Sequence, residues 1–191
     1  MSNIRKAFDH GKAFIPFITC GDPDLETTAA AVREAVKNGA DLIELGIPFS
    51  DPTAEGPVIM GADLRALAGG VTTDKIFEFV KTLRKDVTVP LAFMTYANVV
   101  FSYGTDRFLA NAAEAGIDGL ILPDVPYEEK GDFLPACRAC AARSPRISGP
   151  SWRRPGAIRT SPALWASAFP GPIRRGRWRR QRTASSWARR W

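Results

Sequence analysis

Histidine is almost missing from this 191-residue chain, with His10 standing alone. Cysteine is sparse and odd in number: Cys20, Cys137 and Cys140. So thin a set excludes a disulfide-stapled secreted scaffold and suits a reducing compartment. Cys137-Arg138-Ala139-Cys140 is a lone C-x-x-C, and with one histidine in the chain a zinc site would lack ligands. The bland reading, two ordinary helix cysteines, is the better one, and no metal is expected. No apolar run reaches the length of about 18 residues that a membrane helix needs. Met1-Ser2-Asn3-Ile4-Arg5-Lys6 has no apolar signal-peptide core. The expectation is a cytoplasmic protein with no membrane contact.

Two further absences divide the chain. Tryptophan does not occur before residue 141, and neither lysine nor any acidic residue occurs after residue 140. Residues 1–140 hold all 20 acidic residues against 13 Lys/Arg, a net −7. Residues 141–191 hold 13 Arg and no opposing charge, a net +13, together with Trp152, Trp165, Trp178, Trp187 and Trp191. The overall +6 therefore averages two unlike sequences. The expected organisation is a folded part over 1–140 and a separate, disordered segment over 141–191.

Within 1–140, strand and helix signals alternate. Ala13–Thr19 is a short apolar run that stops at Gly21-Asp22-Pro23. A helix follows, with Asp24 as N-cap, Leu25, Ala29, Val32 and Val36 on one face, and Gly39 as its stop. Asp41–Ile47 is a second strand, and Asp74–Lys85 a helix with Ile76, Val80 and Leu83 aligned. Leu91–Met94 is a third strand. Thr105 caps a helix that stops at Gly116, Gly119–Leu122 is a fourth strand, and Lys130–Arg138 a final helix. Four βα units with near-continuous apolar strands imply a parallel sheet buried on both faces. Strand starts near residues 14, 42, 91 and 119 leave a surplus after the second strand. Long loops in α/β units are usually functional, and in a βα-barrel they lie at the face where active sites form.

That surplus opens with Glu44-Leu45-Gly46-Ile47-Pro48-Phe49-Ser50-Asp51-Pro52-Thr53-Ala54-Glu55-Gly56-Pro57. Three prolines forbid continued strand or helix, and the glycines allow close backbone approach. Glu44 sits in an apolar run, where an ionised side chain is costly without a partner. Burial would raise its pKa and make it a proton shuttle near neutral pH; the alternative is a strand-end carboxylate bonded to backbone or an arginine. Asp51 suits an Asx turn before Pro52. Glu55 is either a second acid/base, an acceptor for a substrate N–H, or a solvated loop charge.

Four ordered segments carry a resemblance: Phe17-Ile18-Thr19-Cys20-Gly21-Asp22-Pro23, the Glu44–Pro57 stretch, Met94-Thr95-Tyr96-Ala97-Asn98-Val99-Val100-Phe101, and Pro123-Asp124-Val125-Pro126. Over residues 5–138 the chain closely resembles the tryptophan synthase α subunit. The resemblance implies the first four units of a (β/α)8 TIM barrel. It implies retro-aldol cleavage of indole-3-glycerol phosphate to indole and glyceraldehyde 3-phosphate, with no metal or organic cofactor. It also implies pairing with a pyridoxal-phosphate β subunit in an α2β2 complex. By motif position Glu44 resembles the family's acid/base. Glu55 stands where the family has an aspartate that accepts the indole N–H, and is one methylene longer. Phe17, Met94, Tyr96 and Ile121 match the indole pocket; Phe17 is the firmest of these, since all four could equally be core. Asp51 and Asn98 fall in regions resembling β-subunit contacts.

Residues 141–191 show no strand–helix alternation, so the later tyrosine and the backbone nest for the substrate phosphate have no counterpart here. Arg, Pro, Ala, Gly, Ser and Trp are what GC-rich DNA encodes out of frame. GC-rich codons chosen for the end of the chain and read two nucleotides later spell G-A-L-G-V-G-V-S-G and then A-D-G-V-V-V-G-S-A-V, which resembles the family's last two units. The third-base choices were free; the first two bases were largely forced. A frameshift near residue 140 is the expectation, and with it an inactive chain. Two other readings stay open: a non-catalytic remnant that docks on the β subunit, and an Arg/Trp tail that binds nucleic acid by charge and stacking. The last is the weakest, and no nucleic-acid partner is expected.

Overall fold

The computed structural model describes residues 3–133 and 135. The segment 141–191, the C-x-x-C and most of the helix expected over 130–138 lie outside the described residues. What is described at that point is a 3-10 turn, Tyr127–Asp132.

Strands β1 (Phe17–Thr19), β2 (Ile43–Gly46), β3 (Leu91–Met94) and β4 (Gly119–Ile121) form one parallel sheet in the order β1-β2-β3-β4. Each helical crossover returns the chain beside the strand it has just left. The register aligns Phe17 with Glu44, Glu44 with Ala92, and Ala92 with Gly119. Two residues along, Thr19, Gly46, Met94 and Ile121 share a row on the same face.

Alternate residues along the strands face opposite ways. Ile43, Leu45, Ile47, Leu91, Phe93 and Leu122 face the helices and belong to the main core with Val32, Ile76, Phe77, Val80 and Phe108. Phe77 meets Phe93 and Phe108 edge-on at 5.8 and 5.4 Å, a favoured geometry for buried rings. On the other face, Leu42 and Ala92 cluster with Ala7, Ile4, Ile15 and Ile121. A four-residue helix α1 (Asn3–Lys6) closes the lower end of this inner face. Its Ile4 occupies the space above Gly119, where a Cβ would lie 2.6 Å from Ile4 Cδ1. The helix-facing side of the sheet is buried, as expected. The inner face is only half-buried at Phe17, Glu44, Met94 and Ile121, because four strands curve around half of a barrel interior.

Helix α2 (Leu25–Lys37) begins where the sequence signals it: Asp24 Oδ1 accepts Thr27 N–H at 2.7 Å. The chain leaves it through Gly39 at φ +88. Helix α4 (Thr73–Leu83) is capped by Thr72. Helix α6 (Thr105–Ala115) ends at left-handed Gly116. Thr105 is its first helical residue rather than its cap; Gly104 holds the cap position at φ 92, a conformation that disfavours threonine. Two helices have no counterpart in the expected element string: α3 (Pro57–Ala68) and α5 (Ala97–Tyr103).

One ionic group ties the crossovers to the sheet. Arg84, at the end of α4, is 8% exposed. Its guanidinium donates to Gly116 O at 2.9 Å, to Val89 O at 2.6 Å and to the Asp118 carboxylate. Asp118 also accepts the Leu91 N–H at 3.1 Å, which fixes the starts of β3 and β4 together.

Candidate active site

The upper ends of the strands gather the candidate residues. Phe17, Glu44, Met94 and Ile121 all lie on the inner face, in two rows two residues apart along the strands. Phe17 lies across Gly46: a Cβ on Gly46 would come within 2.5 Å of Phe17 Cζ. Glycine at that position is what leaves room for the ring. Burial pushes the Glu44 carboxyl above its ordinary value, and among the described residues it accepts no hydrogen bond. A half-buried carboxyl on an apolar wall, its proton affinity raised by burial, is suited to picking up and returning a proton.

The loop 47–56 arches over this wall and is held at its far end by Tyr96. Tyr96 sits just before α5, is 5% exposed, and stacks a tilted ring on Phe49 at 5.4 Å. Its hydroxyl accepts the N–H groups of Thr53 (3.1 Å) and Ala54 (2.8 Å) and donates to the Glu55 carboxylate. Burial and the Glu55 charge both push the phenol upward, so it stays a donor. Glu55 is therefore a half-buried, hydrogen-bonded group at the site's edge, not a free loop charge. Asp51 and Asn98 are both exposed, Asp51 accepting from Ser50 and Asn98 from Ser102.

Three residues with no assigned role in the sequence shape this rim. Asp124, after β4, accepts the Ala97 N–H with both oxygens at 3.0 and 3.1 Å, so it caps α5 from the neighbouring loop. Asp22, after β1, forms a two-pronged pair with Arg65 of α3 at 2.8 Å, and this holds its carboxyl below the usual range. Asp63 is a buried carboxylate on α3, its carboxyl pushed up by burial and by the nearby Glu55 charge. A sequence signal existed for Asp22 and Asp124, which stand in two of the four ordered segments; Asp63 and Arg65 gave none. Cys20, fully buried behind β1, has its thiol pushed up to about 12 by burial and takes no part. Among the described residues no group of His, Cys, Asp and Glu could hold a metal ion, and no helix is long and apolar enough to cross a membrane.

The family model for the tryptophan synthase alpha chain matches residues 4–151. The alpha chain of Lacticaseibacillus casei is 50% identical over 135 residues, covering 71% of this chain and 51% of its own length. That of Geotalea uraniireducens is 53% identical over 141 residues, with 71% and 53% covered. Among solved structures, tryptophan synthase subunit alpha of Legionella pneumophila superposes with a TM-score of 0.70 at 42% identity, covering 73% of this chain and 56% of that one. The tryptophan synthase complex of Pyrococcus furiosus gives 0.63 at 38% identity, with 66% and 52% covered. The chain spans about half the length of the curated relatives it matches.

Proposed function

This chain belongs to the tryptophan synthase alpha chain family, and from that membership we propose that residues 5–138 are the proton-handling side of a lyase site in tryptophan biosynthesis. The substrate is indole-3-glycerol phosphate and the reaction its retro-aldol cleavage. The bond between the indole ring and the glycerol side chain breaks. The side-chain hydroxyl next to it becomes a carbonyl and loses its proton, while the ring carbon gains one. No proton is gained or lost overall, so a single carboxyl whose proton affinity is raised by burial can serve both transfers. Glu44 is that group. Its support is one observation: a carboxyl raised by burial, on the inner face, in a row with Phe17 and Ala92. Phe17, Met94 and Ile121 offer the flat apolar wall an indole needs, with Tyr96 at its rim. Glu55, held by Tyr96, keeps an oxygen available to accept the indole N–H.

The reading extends to partner and place. The β subunit would dock on the rim that carries Asp51 and Asn98, both exposed, in an α2β2 assembly working in the cytoplasm. Residues 141–191 are the family's later βα units read out of frame, so the phosphate-holding side is supplied only when the frame is restored. A bacterial host lacking its own alpha chain provides the test. The frame-restored gene should support growth without tryptophan, and the same gene carrying Glu44→Gln should not. Equal growth of both would overturn the role of Glu44.

A further inference from the structure

Tyr96 holds the N-cap position of helix α5. Serine, threonine, aspartate and asparagine are the usual choices there, because a short side-chain oxygen can accept an orphan N–H of the first turn. The Tyr96 side chain makes no such bond. Its ring instead rests on Phe49 at 5.4 Å, and its hydroxyl accepts the Thr53 and Ala54 N–H groups and donates to Glu55. The missing cap comes from beyond β4: both Asp124 oxygens accept the Ala97 N–H, at 3.0 and 3.1 Å. Asp124 stands in a turn closed by Val125 N–H on Leu122 O at 3.3 Å. A second bond to the same strand end, Thr95 N–H to Ile121 O at 3.1 Å, fixes the residue on the other side of Tyr96.

The backbone on both sides of Tyr96 is therefore held by the exit of β4. The Ala97 nitrogen and the Tyr96 carbonyl belong to one planar peptide unit, so the bond to Asp124 helps set the direction in which the Tyr96 ring leaves the chain. We propose that Asp124 is a positioning residue for Glu55: by holding the peptide after Tyr96 it aims the phenol, and the phenol fixes the Thr53–Glu55 end of the loop. The chain gives up a local cap at residue 96 to place a phenol there, and recovers the cap 27 residues further on. The use of Glu55 on substrate rests on the lyase reading; the aiming of Tyr96 does not.

Amide hydrogen exchange on the full chain, read residue by residue by NMR, tests this without any turnover, so failure of the lyase reading leaves the outcome untouched. Asp124 is exposed, so D124A should leave the core intact; D124G, which a turn tolerates well, serves should D124A not fold. In either, the amides of Ala97, Thr53 and Ala54 should all exchange about fivefold faster than in the parent. D124N keeps an acceptor and should restore all three to the parental rate. Y96F should speed Thr53 and Ala54 and leave Ala97 protected, and adding D124A to Y96F should speed those two loop amides no further. The inference is overturned if loss of the Asp124 acceptor speeds Ala97 and the α5 amides alone, as a cap and nothing more would, or speeds none of the three. It is also overturned if D124N behaves like D124A, or if the effects of Y96F and D124A on Thr53 and Ala54 add.

Discussion

Glu44 keeps its carboxyl half out of water on an otherwise apolar wall, and the sign of that effect can be checked directly. Its pKa in the folded chain is raised by burial. The folded state therefore holds this proton more tightly than the unfolded chain. The stabilisation is complete below the unfolded value and is lost as pH rises through the folded one. Glu44→Gln should accordingly be more stable than the parent at pH 7, with the gap closing toward pH 4 in urea titrations. In the frame-restored protein the same substitution should lower indole release by about 10²–10⁴-fold, the range for a lost general acid/base. Gly46 gives a second test at this scale. A Cβ there would press on the Phe17 ring at 2.5 Å. Gly46→Ala should cost about 1–3 kcal/mol by overpacking, read as a lower urea midpoint, and should raise the KM of the frame-restored protein by tilting the ring proposed to face indole. Glu44 stood out in the sequence as a carboxylate inside an apolar run and Phe17 through the resemblance, and the register of β1 with β2 sets the two opposite each other. The Tyr96–Glu55 bond was not legible there, since it joins groups 41 residues apart through the path of a loop that no local pattern specifies.

Helices show the same division between local and distant causes. Helix α2 and the end of α6 could be read because their signals are their own: Asp24 bonds three residues ahead, and Gly39 and Gly116 supply left-handed turns. Helix α3 was hidden by its proline-rich approach, although Pro57 at the first helical turn is itself a start signal. Helix α5 could not be seen locally, because the side chain that caps it is Asp124, 27 residues further on. Asp124→Ala should therefore cost about 1 kcal/mol, as for other lost caps, and should loosen α5 in amide exchange before any other helix. The element contact with most at stake is Arg84 with Asp118. Their side chains are 5% and 15% exposed, so Arg84→Ala leaves a largely buried carboxylate without its main cation. A loss of about 3–5 kcal/mol is expected, measured by chemical denaturation; less than 1 kcal/mol would show the pair to be peripheral.

At the scale of the molecule, strand spacing alone disclosed a parallel α/β sheet, and the open order β1-β2-β3-β4 agrees with it. The surplus after β2 proved to be a rim loop plus a whole helix, α3. The charge break at residue 140 disclosed something no fold rule would: a net −7 body joined to a net +13 segment that lacks every acidic residue. Sequencing the gene across that junction should reveal a single insertion or deletion that restores a family-like downstream frame. Indole release from indole-3-glycerol phosphate, measured with the β subunit present, tests the whole account most directly. The frame-restored protein should release indole and its Glu44→Gln variant should not, while the 191-residue chain gives no release. Release by the 191-residue chain that Glu44→Gln leaves unchanged would contradict it.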